Sequence, residues 1–132
     1  METKAPISAV AAYDVFRQNC PSRQVFDLIG ERWAALVLLA LHGQPQRFSA
    51  LRRRIEGISQ KMLTQTLRAF ERDGLVRREA FPTVPVTVEY SLTPLGGSLC
   101  EVIEALRAWA YANAGTMDSA RQAYNQQHPP LN

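Results

Sequence analysis

Apolar residues recur through most of this chain at intervals of three and four, switch to every second residue near position 86, and then return to three and four. The first spacing marks helices and the second marks a strand. The clearest helix follows Gly57-Ile58, where Leu63, Leu67 and Phe70 fall at i, i+4 and i+7 and make one apolar stripe. Ser59 is its predicted N-cap, because the hydroxyl can accept a hydrogen bond from a free N–H group of the first turn. Asp73-Gly74-Leu75 ends it: glycine takes the left-handed conformation favoured after a helix, and Leu75 can fold back onto the last turn.

The same reading places other helices before and after. Ala9, Val10, Ala12, Tyr13 and Phe16 follow Ser8 at loose helical spacing. Cys20-Pro21-Ser22 breaks the chain, and Ser22 is the expected cap of a short helix through Val25, Phe26, Leu28 and Ile29 that stops at Gly30. From Trp33 to Leu41 the residues are apolar all round, which predicts burial at the centre of a core, with His42-Gly43 closing the segment. Phe48, Leu51 and Ile55 define a further helix capped within Gln46-Arg47-Phe48-Ser49, and Glu56-Gly57-Ile58 is a tight turn into the helix described first. Two helices so joined are a helix-turn-helix.

A strand from Leu75 to Phe81, a turn at Pro82-Thr83-Val84-Pro85 and an alternating strand from Val86 to Leu92 make a hairpin. Thr93-Pro94 caps a long helix carrying Leu95, Leu99, Ile103, Leu106 and Ala110, with Val102 and Trp109 beside the stripe. The fold class is therefore mainly α, an α+β winged helix: a helix-turn-helix with a two-stranded β-hairpin wing, flanked by N- and C-terminal dimerisation helices. The division is a dimerisation helix over 1–19, a winged-helix domain with its long C-terminal dimerisation helix over 20–113, and a polar tail over 114–132 with room for one more short helix.

Composition changes this picture in one respect. A net charge of +3 is modest for 132 residues, but the cations are concentrated in the middle of the chain, from Arg47 to Arg78. There the outer face of the predicted second helix carries Lys61, Thr64, Gln65, Arg68 and Arg72, a basic and hydrogen-bonding row suited to double-stranded DNA. Ser59, Gln60, Lys61, Thr64 and Gln65 stand at the helix start, where base edges are read, and Arg68 and Arg72 further along suit phosphates. Arg52, Arg53 and Arg54 divide evenly between phosphate contact and simple solvation. A homodimer would present two such helices about 34 Å apart to a pseudo-palindromic site.

No apolar run reaches the roughly 18 residues of a membrane span, and the start of the chain lacks the charged and apolar regions of a signal peptide, so a cytoplasmic protein is expected. Two cysteines suit neither a disulfide framework nor a metal site by spacing, and no cofactor is implied. Cys20 precedes a helix start with Arg17 and Arg23 near in sequence, a setting that favours thiolate, whereas Cys100 lies beside the Leu99 stripe and is expected to pack. An enzyme is disfavoured because neither His42 nor His128 is placed to act as base for a cysteine. A protein-interaction module would call for an acidic or apolar face on the second helix. An aromatic or lipophilic effector bound where Tyr13, Phe16, Trp33 or Trp109 meet between subunits is the alternative signal.

The motifs Cys20-Pro21, Ile29-Gly30-Glu31-Arg32-Trp33, Arg47-Phe48-Ser49-Ala50-Leu51, Gly57-Ile58-Ser59-Gln60-Lys61-Met62-Leu63, Asp73-Gly74-Leu75-Val76 and Val88-Glu89-Tyr90-Ser91-Leu92-Thr93 together give the chain its resemblance to the HxlR-type transcriptional regulators, relatives of the MarR group. The resemblance runs from about Cys20 to Trp109. It implies a dimeric winged-helix repressor or activator, often one whose N-terminal cysteine senses oxidants, quinones or aldehydes, a role that falls here on Cys20. Glu31 and Arg32 replace the family's usual glycine and lysine, and Val86 and Thr87 replace a proline and a basic residue in the wing, so Arg77 or Arg78 is expected to supply the wing's contact.

Overall fold

The computed structural model describes residues 13–131. The expected N-terminal helix therefore lies mostly outside the described residues, and its described part, 13–19, is a run of turns. Asp14 makes the first of these, its carboxylate accepting from the Phe16 N–H at 3.0 Å and its carbonyl from the Arg17 N–H at 3.0 Å. Helix α1 spans Pro21–Gly30, and Cys20 rather than Ser22 is its N-cap. Proline explains the difference: its fixed φ suits the first helical position, where a missing N–H costs nothing.

Helix α2 spans Ala34–Ala40 and buries Ala34, Val37, Leu38 and Ala40. Burial is not all round, because Leu36 remains 45% exposed. Strand β1, Gln46–Arg47, leads into α3, Phe48–Arg54, with Arg47 at the cap position and no side-chain cap bond. Helix α4 spans Gln60–Arg72 and has the predicted cap, the Met62 N–H donating to Ser59 Oγ at 3.0 Å. Leu63, Leu67 and Phe70 are buried. Each transfer is worth about 1.5–3 kcal/mol against about 1 kcal/mol for the cap, so packing places the helix and the cap sets where it starts.

The wing is β2, Val76–Phe81, against β3, Thr87–Leu92, antiparallel with Arg78 opposite Tyr90. The sheet has three strands in the order β1-β3-β2, not two, because β1 pairs through Gln46 with Tyr90 and Arg47 with Glu89. A two-residue strand is too short to carry an alternating pattern. The core gathers Leu38, Leu41, Leu51, Leu63, Leu67, Phe70 and Ile103 from four helices and the segment after α2.

Helix α5 spans Pro94–Gln127, with the Gly96 N–H donating to Thr93 Oγ1 at 3.0 Å. It runs through Gly115 without a break, so residues 116–127 of the expected tail are its exposed continuation. One exposed glycine costs about 1 kcal/mol, which the surrounding alanine, methionine, arginine and glutamine offset through their helix propensity.

One junction ties these elements together. After α4, Gly74 adopts φ +78°, the Leu75 N–H donates to the Phe70 carbonyl at 2.9 Å and the Gly74 N–H to the Glu71 carbonyl at 3.1 Å. From the other side of the wing, the Thr93 N–H donates to the Leu75 carbonyl at 3.0 Å and the Thr93 hydroxyl to the Gly74 carbonyl at 2.6 Å. Gly96 then lies so close that a Cβ there would meet the Leu75 carbonyl, whereas one on Gly97 would meet nothing. Gly96→Ala is expected to destabilise the protein by about 1–3 kcal/mol through overpacking, lowering Tm by several degrees, while Gly97→Ala leaves Tm unchanged or raises it. Thermal unfolding of the two variants side by side checks this.

Candidate nucleic-acid interface

Helix α4 presents its polar side as an arc. At about 100° per residue, Gln60, Thr64, Arg68, Lys61, Arg72 and Gln65 succeed one another over about 140°, opposite the buried Leu63, Leu67 and Phe70. Gln60, Lys61, Gln65, Arg68 and Arg72 are exposed and Thr64 is half-buried. Ser59 is exposed, but its oxygen already accepts from Met62, which leaves its hydroxyl proton to offer a ligand.

The arc has two flanks. On the wing side, Thr64 and Arg68 join Arg78 and Tyr90 around a concavity of about 380 Å³ that Leu67 and Glu71 complete. Arg78 reaches it because residues two apart in β2 share a face, so Arg77 must point to the other side of the sheet. On the far side, Gln65 and Arg72 line a groove between α4 and α1 with Gln24, Asp27 and Trp33, and Arg72 Nε stands 3.6 Å from an Asp73 carboxylate oxygen. Arg68 and Arg78 are thus brought together, and Arg72 is drawn away from them. Arg52, Arg53 and Arg54 are exposed in the last turn of α3.

Tyr90 and Glu71 were not singled out from the sequence. Tyr90 sits in an alternating strand and reads there as one more inward aromatic; only the register that sets it opposite Arg78 shows it at the site. Glu71 falls between Gln60 and Thr64 on the α4 arc, one acid within the basic concavity. The wing tip beyond holds Val84 and Val86, both exposed and neither charged, so the cation of the wing is at its base.

Cys20 occupies a separate place at the head of α1 and is 6% exposed. The Asp14 N–H donates to its sulfur at 3.1 Å, and Ser22 Oγ lies 2.9 Å away. The Ser22 hydroxyl holds the thiol below its ordinary pKa; burial opposes it, and the backbone N–H groups of Asp14, Ser22 and Arg23 assist. Neighbouring arginine charge is not the cause, contrary to expectation, and the Arg23 guanidinium is spent on the Phe16 carbonyl at 3.2 Å. Cys100 packs as expected, its thiol donating to the Leu38 carbonyl at 3.4 Å and pushed up by burial.

Comparisons with known proteins agree with this geometry. The HxlR-like helix-turn-helix family model matches residues 28–118. The chain is 49% identical over 100 residues to a protein of Escherichia coli K12 named as an HTH-type transcriptional regulator, YtfH, covering 76% of this chain and 79% of that one. Its backbone superposes on a solved structure assigned as a transcriptional regulator, YtfH of Salmonella typhimurium, with a TM-score of 0.77 at 43% identity, over 83% of this chain and 98% of that one. It also superposes on the redox regulator HypR in its oxidized form, with a TM-score of 0.67 at 37% identity, over 71% and 97%.

The Ser22 bond gives a direct expectation for Cys20. Without its donor the thiol's pKa rises, so less thiolate exists at neutral pH and the thiolate is the nucleophile. In Ser22→Ala the pH profile of Cys20 alkylation shifts to higher pH and the rate at pH 7 falls, as mass spectrometry of iodoacetamide-labelled peptides will measure.

Proposed function

The chain belongs to the HxlR-like helix-turn-helix family, a family of DNA-binding transcriptional regulators and not of enzymes, and from that premise we propose that it works in the cytoplasm as a homodimer on a pseudo-palindromic operator, switched at Cys20. The observation that carries the reading is the convergence of Arg68 and Thr64 of α4 with Arg78 of the wing. A recognition helix in the major groove sets base-reading groups at its start, Ser59, Gln60, Lys61, Thr64 and Gln65. Arg68 and Arg78 then meet one stretch of phosphate backbone where the groove wall passes between helix and wing, and Arg72 takes phosphate on the other flank. Among the described residues no helix is long and apolar enough to cross a membrane.

Dimerisation draws support from exposed apolar side chains that a lone chain leaves in water. Leu95, Val102, Leu106 and Trp109 of α5 are exposed at spacings of seven, four and three, which puts them along one side of the helix. Beside them, Pro21, Val25 and Leu28 of α1 face Leu95, Leu99 and Val102 across a groove of about 440 Å³. Cys20 adjoins Pro21 on the rim of that groove. A covalent change at its sulfur has to displace the turn over 13–19, since Asp14 is bonded to that sulfur, and so disturbs the surface on which two subunits would meet. HypR, the similar redox regulator, supports a thiol as the signal.

The same groove favours a second reading, a lipophilic effector held between α1 and α5, since its volume is that of a small-molecule site. The aromatic residues expected to line such a site are not gathered there: Trp33 faces α4, and Tyr13, Phe16 and Trp109 stand exposed.

The test is a mobility shift on the DNA upstream of the protein's own gene, with reduced protein and after diamide. Binding lost on treatment and kept in Cys20→Ala establishes the switch; binding indifferent to diamide overturns it. For the interface itself, Arg68→Ala and Arg78→Ala are each expected to reduce the slope of log affinity against log salt by about one per subunit, about two for the dimer. An unchanged slope removes that arginine from the phosphate contact.

A further inference from the structure

Three side chains with metal-ligating atoms converge far from the DNA-facing arc. His42 lies just beyond the end of α2, and Cys100 and Glu104 stand one turn apart on α5, so that their ligand atoms all lie within 4.8 Å of one another. His42 Nδ1 is 2.8 Å from Glu104 Oε2. The opposite side of that carboxylate is held by Arg107, whose Nη2 donates to Oε1 at 2.7 Å and to Oε2 at 2.9 Å and whose Nε donates to Oε1 at 3.0 Å. Cys100 forms the floor of the cluster, in the core, and His42 at 56% side-chain exposure leaves it open to solvent.

We propose that His42 Nδ1, Cys100 Sγ and Glu104 Oε2 bind a divalent transition metal ion of the zinc class, with a water in the fourth position. The donor set selects the class. Imidazole with thiolate suits zinc and its neighbours, whereas magnesium and calcium take oxygen ligands. Tetrahedral zinc bonds, about 2.0–2.3 Å long, require the three atoms to draw to about 3.5 Å apart. His42 and Glu104 must part by less than an ångström from their present bond, and the sulfur must close by about one.

The proton count follows from the ligands. The metal enters as an aquo ion, Cys100 loses its thiol proton to solvent as the sulfur–metal bond forms, and the proton between His42 Nδ1 and Glu104 also leaves to solvent while Nε2 carries the ring's one proton, so that neutral imidazole binds through Nδ1. Glu104 turns Oε2 to the metal, giving up the 2.9 Å contact from Arg107 Nη2, while Arg107 keeps Oε1, which makes Arg107 a positioning residue. The site joins the segment after α2 to α5, two parts of the chain 58 residues apart at their nearest ligands.

The test uses reduced, metal-free, full-length protein titrated with cobalt(II). The expected result is one equivalent per chain, a thiolate-to-cobalt charge-transfer absorption in the near ultraviolet, and displacement of cobalt by zinc. His42→Ala, at an exposed side chain, and Glu104→Gln, a near-isosteric change at a half-buried one, are expected to weaken cobalt binding at least about tenfold. Cys100→Ala abolishes the absorption, and Cys20→Ala retains it. Absence of the absorption in the native chain overturns the proposal, as does unchanged affinity in both the His42 and Glu104 variants or loss of the absorption in Cys20→Ala. Because Cys100 is a core residue, the His42 and Glu104 variants decide the matter where Cys100→Ala does not fold.

Discussion

The close approach of Gly96 to the Leu75 carbonyl is the constraint on which the arrangement depends. The chain ends the recognition helix, opens the wing, closes it again and starts its longest helix, and all four events meet in space at Gly74, Leu75, Thr93 and Gly96. Two hydrogen bonds from Thr93 clamp the wing's root, and the lack of a side chain on Gly96 lets α5 lie against it. The angle between α4 and β2 follows, and with it the distance between Arg68 and Arg78. A polyanion recognised by both is recognised because a threonine and a glycine twenty residues downstream hold the backbone in place.

Local chemistry made much of this visible beforehand. The caps Ser59 and Thr93 and the stop at Gly74 involve neighbours in sequence, so the residues that form them are read together, and each lies where it was expected. The apolar stripe of α4 was equally plain, because three large residues on one face leave a helix no other way to bury them. Harder to read were features set by competition. At Cys20-Pro21-Ser22, a good capping serine lost to a proline that starts the helix two residues earlier. At Gly115, a helix breaker was outweighed by a run of strong helix formers.

Long-range contacts were illegible for a different reason. β1 exists only because β3 offers an edge, and nothing in Gln46-Arg47 announces a strand. Tyr90 and Glu71 enter the interface through strand register and through the wing's position, neither of which is encoded in their own surroundings. The lowered pKa of Cys20 was anticipated from the helix start and from nearby arginines; backbone N–H groups at that start do assist, yet a hydroxyl two residues away is the main cause and arginine charge is not: charge is conspicuous in a sequence, whereas a hydrogen bond needs geometry. His42, Cys100 and Glu104 are the extreme case, three donors that no spacing rule would have grouped.

The continuity of α5 has a mechanical consequence. Thirty-four residues of unbroken helix make a rod about 51 Å long, held over its first part by the root of the wing, by Cys100 and Ile103 in the core and by the His42–Glu104 bond. The part beyond Arg107, about 30 Å long, works as a lever: a tilt of about 8° where it leaves the core sweeps the free end through about 4 Å. A small motion at the core is thereby magnified at the far tip, where residues 116–127 are exposed.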